Sequence, residues 1–95
     1  MNISDYKKFS GFLKALSHPT RLMIVIELLK GERCVSDIRD LLKMKQPNIS
    51  QHLTILKANG IVDWIQQGQR KCYFLKNPNL IKNIVKELEK SKSKI

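Results

Sequence analysis

The chain has 95 residues, of which 18 are lysine or arginine and 8 are aspartate or glutamate, so its formal net charge is +10. This length suffices for one small domain, and a core of this size rarely encloses a full catalytic cleft as well. So basic a balance indicates an anionic polymer or surface as the partner. Colloidal solubility is the alternative explanation of the charge.

Neither an enzyme nor a membrane protein is indicated. The amino terminus, MNISDYKKFS, lacks the apolar segment of a signal peptide. The longest apolar run, LMIVIELL, is interrupted by Glu27 and is far shorter than the roughly 20 residues of a membrane span. The chain has no Ser/His/Asp grouping, paired carboxylates, phosphate-binding glycine loop or H-E-x-x-H motif. We therefore expect a cytoplasmic protein that is not an enzyme and that needs neither a membrane nor a cofactor.

Apolar residues recur at helical spacing in the first half of the chain. They predict a first helix over Asp5–Leu16 and a second over Pro19–Lys30, which begins with proline in its first turn and ends before Gly31. A short third helix is predicted over Val35–Leu42, with Ser36 as its N-cap.

The fourth predicted helix, Pro47–Gly60, follows a tight connector at residues 43–45 and has an unusual surface. Lys45 or Gln46 must be its N-cap, and Gly60 closes it. Its apolar residues form one narrow face, and its remaining residues are mostly small or carry amides and hydroxyls. No acidic residue occurs over 44–62. Amides and hydroxyls read base edges in the major groove, where carboxylates would be repelled. The pattern predicts a DNA-reading helix; the alternative is a polar surface helix of an unrelated bundle.

Beyond this helix the period changes to that of strands. The runs IVDWIQ and KCYFLK, separated by residues 67–70, predict a hairpin with a polar, basic tip. Pro78 then begins a last helix, and residues 1–4 and 91–95 are expected to fray. The order α-α-α-α-β-β-α, mainly α with a small β-hairpin in a single domain over 1–95, is that of a winged helix-turn-helix.

Four stretches in this order, LKALSHPTRLMIVIELL, VSDIRDLL, QPNISQHLTILKANGIV and GQRKCYFL, resemble the ArsR/SmtB family of small bacterial repressors. The resemblance covers nearly the whole chain, and ALSHPTR and QPNISQHL are among its most specific parts. It implies a homodimeric winged-helix repressor that binds an inverted-repeat operator in double-stranded DNA and releases it on sensing a ligand.

The resemblance also implies a dimer interface formed by the first and last helices. Apolar stripes on these helices agree with it; packing within the monomer is the alternative explanation of the stripes. The candidate interface residues are Tyr6, Phe9, Leu13, Leu80, Ile81, Ile84, Val85 and Leu88.

Candidate DNA contacts follow from the same resemblance. Arg70, at the hairpin tip, would reach the backbone or minor groove with help from Lys71, and Lys43 and Lys45 would hold phosphates; solvated roles are the alternatives. His52 would contact a phosphate or, as the alternative, pack or form a helix–helix hydrogen bond. The candidates on the fourth helix are Gln46, Asn48, Ser50, Gln51 and Thr54.

Metal sensing is not favoured, because the ligands of the family's sites are missing. One of these sites uses two cysteines spaced C-x-C at the start of the third helix, where this chain has Cys34-Val35-Ser36. Another uses Asp/His and His/Glu pairs on the last helix, which here contains no His, Asp or Cys. A tetrahedral zinc site needs about four ligands held together. No metal site is therefore predicted, although a soft ion on two thiolates is an open alternative.

The two cysteines indicate another kind of signal. Residues 33–34 would add a short strand beside the second hairpin strand, which contains Cys72, and a favourable register would bring the Cα atoms within the roughly 7 Å that a disulfide permits. Cys34 also lies beside Arg33 at a helix start, where a thiolate is favoured. Redox or reactive-sulfur sensing is one hypothesis.

Other signals and other classes of function remain open. The cysteines could be ordinary semi-buried residues, and the inducer could be a metal or metalloid ion, a small molecule at the dimer interface, or absent. A non-specific architectural DNA-binding protein, recognised by a steep salt dependence without sequence preference, is the alternative class. An interaction module that reuses the fold is another.

Overall fold

The computed structural model describes residues 1–95 and contains five α-helices, three strands and a terminal 3₁₀ turn. The strands are β1 (Arg33–Cys34), β2 (Val62–Gln67) and β3 (Arg70–Leu75), and the 3₁₀ turn covers Lys92–Lys94. The helices are α1 (Ile3–Leu16), α2 (Pro19–Leu28), α3 (Val35–Leu42), α4 (Gln46–Ala58) and α5 (Pro78–Ser91). This is the predicted winged helix-turn-helix, and β1 is the short strand expected at residues 33–34 beside the second hairpin strand.

The first helix begins at Ile3 rather than at Asp5, because Asn2 caps it. Asn2 Oδ1 accepts the backbone N–H of Asp5 at 2.9 Å, and the Asp5 carboxylate accepts the backbone N–H of Asn2 at 3.2 Å. This reciprocal capping box satisfies two N–H groups of the first turn. Fraying of the two chain ends concerns motion and stays a prediction.

The N-cap of α3 is Cys34, so the prediction of Ser36 is wrong. Pairing with β3 keeps the backbone of Cys34 extended, at φ −81° and ψ 158°, and the helix begins at the next residue. Asp37 Oδ2 accepts the backbone N–H of Cys34 at 3.3 Å. The end of α2 also differs from the prediction, since the helix stops at Leu28 and a turn leads into β1.

The three strands form one antiparallel sheet in the order β1–β3–β2. The hairpin ladder ends with Gln67 opposite Arg70, and the turn beyond it contains Gly68 at φ +62°, a conformation that glycine adopts without strain. β1 adds to the other edge of β3 and places Cys34 opposite Cys72. The sheet therefore connects the start of α3 to the hairpin.

The core orients α4. Ile49, Leu53 and Leu56 are fully buried in a single apolar cluster, as their spacing predicts. Because residues at helical spacing share one face, their burial turns the amides and hydroxyls of α4 outward.

Helix α1 crosses the end of α4 at close range. A Cβ atom on Gly11 would lie 2.9 Å from Asn59 Oδ1, so glycine permits the approach. Asn59 is held in turn by its Nδ2, which donates to the carbonyl oxygen of Ile55 at 2.9 Å. A helix predicted to form the dimer interface thus contacts the end of the predicted reading helix.

The predicted interface residues fall into two groups. Ile81 is buried in the core of the monomer, and Ile84 and Val85 pack partly against that core. The outward-facing group, with exposed fractions between 40% and 60%, consists of Tyr6, Phe9, Leu13, Leu80 and Leu88.

None of the helices combines the length and the apolar character of a membrane span.

Candidate nucleic-acid interface

A cleft of about 340 Å³ lies between the hairpin, the start of α3 and the outer side of α4. No acidic residue lines it. Ser36, Gln69 and Tyr73 contribute to its walls without having been predicted as site residues. The predicted DNA contacts that the structure brings together in its walls are Gln46, Ser50, Thr54, Arg70 and Lys71.

The outer side of α4 presents hydrogen-bonding groups. Asn48, Gln51 and Thr54 are exposed, and Ser50 is half-buried. Thr54 Oγ1 donates to the carbonyl oxygen of Ser50 at 2.8 Å, so its lone pairs remain as acceptors. This side of the helix can therefore both donate and accept hydrogen bonds with base edges.

The connector between α3 and α4 places basic residues at the start of α4. Lys43 takes the left-handed conformation, φ 52°, that ends α3, and both Lys43 and Lys45 are exposed. Near the end of α3, Arg39 donates from Nη1 to Gln46 Oε1 at 3.4 Å and from Nε to Asp40 Oδ1 at 3.2 Å.

Arg70 lies at the start of β3, and its guanidinium is directed toward α3. Nη2 donates to Ser36 Oγ at 3.0 Å and to Asp37 Oδ1 at 2.9 Å. The side chain remains half-exposed and lines the cleft. Arg70, which was predicted to contact the DNA backbone, is therefore also bound to Ser36 and Asp37 of the protein, which the sequence did not predict.

Lys71 is held along the sheet by aromatic rings. Its Nζ lies 4.3 Å from the centroid of Trp64 and 5.7 Å from that of Tyr73, which is cation–π geometry. Trp64 and Tyr73 lie opposite each other in the ladder between β2 and β3. The charge of Lys71 is therefore kept at the cleft by the hairpin itself.

His52 faces α2 rather than the cleft. Arg21 Nη1 lies 3.4 Å from His52 Nδ1, and the ring centroids of His18 and His52 are 4.6 Å apart. Arg21 Nε also donates to the carbonyl oxygen of Ala15 at 2.6 Å, so Arg21 connects α1, α2 and α4. This placement favours the helix–helix role of His52 over a phosphate contact.

The histidine contact makes stability depend on pH. The pKa of His52 lies below the usual 6.5, first because burial disfavours the charged ring and then because His18 and Arg21 repel it. The resulting stability is fully present above the unfolded pKa of about 6.5 and is lost as pH falls through the lower folded pKa. We expect the midpoint temperature of thermal unfolding to decrease as the pH is lowered from about 7 to about 5. The decrease should be smaller in His52→Gln when both proteins are followed by circular dichroism. Equal pH dependence in the two proteins would contradict this origin.

A disulfide joins Cys34 to Cys72 across β1 and β3, with the Cα atoms 3.7 Å apart. The favourable register that the sequence analysis required is therefore confirmed. Cys72 is fully buried, and Cys34, which is also buried at 7% exposed, contributes to the wall of the cleft. No group of three or more His, Cys, Asp or Glu side chains is arranged to hold a metal ion.

Together these features define a winged helix-turn-helix protein in which α4 and the hairpin share one polar, basic cleft. The family model of bacterial regulatory proteins of the arsR family matches residues 18–63. MJ1325, an uncharacterized HTH-type transcriptional regulator of Methanocaldococcus jannaschii, is 41% identical over 85 residues, which are 88% of this chain and 94% of that protein. The chain belongs to the arsR family, as the sequence motifs indicated.

Two further comparisons agree in family and fold. The HTH-type transcriptional repressor SmtB of Mycobacterium tuberculosis (strain ATCC 25618 / H37Rv) is 43% identical over 68 residues, 72% of this chain; the chain spans 50% of that relative's length. The homodimeric winged helix-turn-helix DNA-binding domain Mb0332 of Mycobacterium bovis superposes with a TM-score of 0.83 at 26% identity, covering 94% of this chain and 87% of that chain. The predicted winged helix-turn-helix is therefore confirmed.

Proposed function

We propose that the protein is a homodimeric, sequence-specific DNA-binding regulator, not an enzyme, that represses transcription in the cytoplasm from an inverted-repeat operator. The observation that carries this proposal is the cleft whose walls combine predicted DNA contacts from α4 and the hairpin and include no acidic residue. A net charge of +10 supports a polyanionic partner. The relatives named as a transcriptional repressor and as a DNA-binding domain support it as well.

The roles divide according to chemistry. Gln51, Asn48 and Thr54, on the outer side of a helix whose inner side is buried, would read base edges in the major groove. Arg70 and Lys71 would hold the sugar–phosphate backbone beside the hairpin. Lys43 and Lys45 would hold it at the connector. Phosphate contacts of this kind set the register of the helix on the duplex, and base contacts supply the sequence preference.

A second copy of the chain would complete the binding unit. Five of the predicted interface residues on α1 and α5 are exposed in the single chain, which leaves an apolar surface for a partner to cover. A two-fold symmetric dimer presents two reading helices in opposite directions, which matches an inverted repeat. The contact of Gly11 with Asn59 would then connect the dimer helix to the reading helix.

We infer that the thiols of Cys34 and Cys72 sense the inducing signal. In the reaction, two protein thiols transfer two electrons to a small disulfide, which leaves as two thiols, and the protein keeps one intramolecular disulfide. Two observations support this assignment: the cysteines are direct cross-strand partners, and Cys34 lines the cleft. The disulfide connects the start of α3 to the hairpin, so oxidation would restrict how the hairpin adjusts to bound DNA.

A single alanine substitution tests the reading surface. We expect Gln51→Ala to lower affinity for the operator about tenfold, within the range of about 1–3 kcal/mol for a good base contact, and to spare affinity for random duplex. Arg70→Ala should weaken binding to both duplexes and reduce the slope of log affinity against log salt by about 1. The measurement is fluorescence anisotropy with the DNA upstream of the protein's own gene and a random duplex as competitor.

Controls distinguish the alternatives. Asn79→Ala, an amide-to-alanine change at an exposed position on α5, should leave both affinities unchanged. If wild-type protein shows no preference for the upstream DNA at any salt concentration, the architectural alternative is favoured. If the preference exists but neither Gln51→Ala nor Arg70→Ala alters binding, the reading surface has been assigned to the wrong residues.

A further inference from the structure

An acidic residue, Asp37, lies beside the surface that we assign to a polyanion. Its side chain is 46% exposed, and Oδ1 accepts a hydrogen bond from Arg70 Nη2 at 2.9 Å. Ser36 Oγ accepts from the same nitrogen at 3.0 Å. Asp37 Oδ2 accepts the backbone N–H of Cys34 at 3.3 Å. One carboxylate therefore caps α3 and holds the hairpin arginine at the same time.

Both bonds from Arg70 use one nitrogen of its guanidinium. Arginine has five N–H groups in a planar fork, and here Nε and Nη1 of Arg70 donate to no protein acceptor. Because Arg70 also lines the cleft, these remaining groups are available to a phosphate, which arginine can bind through two parallel hydrogen bonds. A guanidinium already held in place loses less conformational entropy on binding than a freely rotating one.

We propose that Asp37 is a positioning residue that increases affinity for DNA by holding Arg70 at the cleft, where Arg70 binds a backbone phosphate. This role rests on the function proposed above. Charge alone predicts the opposite result, because removing a carboxylate next to a phosphate-binding surface should strengthen binding. The sign of the change in affinity therefore separates positioning from simple repulsion.

The same helix offers a matched control. Asp40 is 72% exposed and pairs with Arg39 Nε at 3.2 Å, and it makes no bond to Arg70. Asp40→Asn removes the same charge as Asp37→Asn without releasing the hairpin arginine. Asparagine at position 37 retains an oxygen that can accept the backbone N–H of Cys34, so the cap of α3 can persist.

The test compares these variants on the operator duplex over about 50–200 mM salt, the range in which phosphate contacts strongly affect affinity. Asp37→Asn is expected to weaken binding about threefold, within the range of a typical exposed ion pair. It should also reduce the salt slope, because the phosphate contact of Arg70 is loosened. Asp40→Asn is expected to bind as tightly as wild type or more tightly.

A double-mutant cycle with Arg70→Ala shows whether Asp37 acts through the arginine. In the Arg70→Ala background, Asp37→Asn removes only an unpaired negative charge, so it should strengthen binding. Ser36→Ala removes the other acceptor of Arg70 and should weaken binding, which provides a test if Asp37→Asn unfolds.

Two results would overturn the role of Asp37. One is stronger binding by Asp37→Asn in the otherwise unchanged protein. The other is the same loss of affinity with and without Arg70. If wild-type protein does not prefer its operator to a random duplex, the proposed function fails, and that outcome is read from the wild type alone.

Discussion

Replacing Leu13 by glutamate is expected to convert the dimer into a monomer and to lower operator affinity by at least about a hundredfold, the scale on which two linked binding modules exceed one. Leu13 is 60% exposed in the single chain, so glutamate there does not disturb the monomer's own core. In a dimer through α1 and α5 the same carboxylate would be buried against apolar side chains, where an unpaired charge is strongly unfavourable.

Three measurements on the Leu13→Glu variant check this expectation. Analytical ultracentrifugation gives the mass in solution, anisotropy gives the operator affinity, and a thermal melt shows whether the monomer is folded. Lys7→Ala is the matched control, because it lowers the net charge by the same amount at an exposed position of α1 outside the apolar stripe. A Leu13→Glu protein that remains dimeric would show that another surface forms the interface.

Reduction of the disulfide between Cys34 and Cys72 is expected to raise operator affinity while lowering stability. The bond closes a loop with a sequence separation of 38 residues, and constraint of the unfolded chain over such a loop is worth about 4 kcal/mol. Operator affinity should rise on reduction although stability falls, because the disulfide connects the start of α3 to β3. Its loss would let the hairpin adjust to flanking DNA while α4 occupies the major groove.

The experiment compares reduced protein with protein oxidised by a small disulfide or by a polysulfide donor. Anisotropy measures binding, urea unfolding measures stability, and thiol counting verifies each state. Cys72→Ser should bind like the reduced protein and should not respond to the oxidant, and a random duplex serves as the reference. Equal operator affinity of the two states would mean that the cysteines only pack, and small molecules or metal ions at the dimer interface would become the candidate signals.

The helices could be predicted because their signals are local. Pro47 and Pro78 lie in the first turns of α4 and α5, as expected. The buried side of α4 follows from helical spacing alone. The errors occur where a distant segment decides a local feature: Cys34 replaces Ser36 as the cap of α3 because β3 holds its backbone extended.

The candidate site was predictable in composition but not in arrangement. Amides and hydroxyls on α4 and the arginine at the start of β3 stand out in the sequence, since their residue types suit base edges and phosphates. That Ser50 and Arg70 would line one cleft depends on how the hairpin packs against α3 and α4. The periodicity of the sequence does not predict how close these two residues lie.

The sequence by itself determined the order of the elements, the outward face of the reading helix and the family. These depend on residue type and on spacing within a few turns. Only the tertiary structure decided that His52 contacts Arg21, 31 residues away in the chain, and that Arg70 binds Asp37, 33 residues away. It also decided the register that pairs Cys34 with Cys72, 38 residues away. Such contacts are set by strand register and helix crossing, and both depend on how the whole core packs.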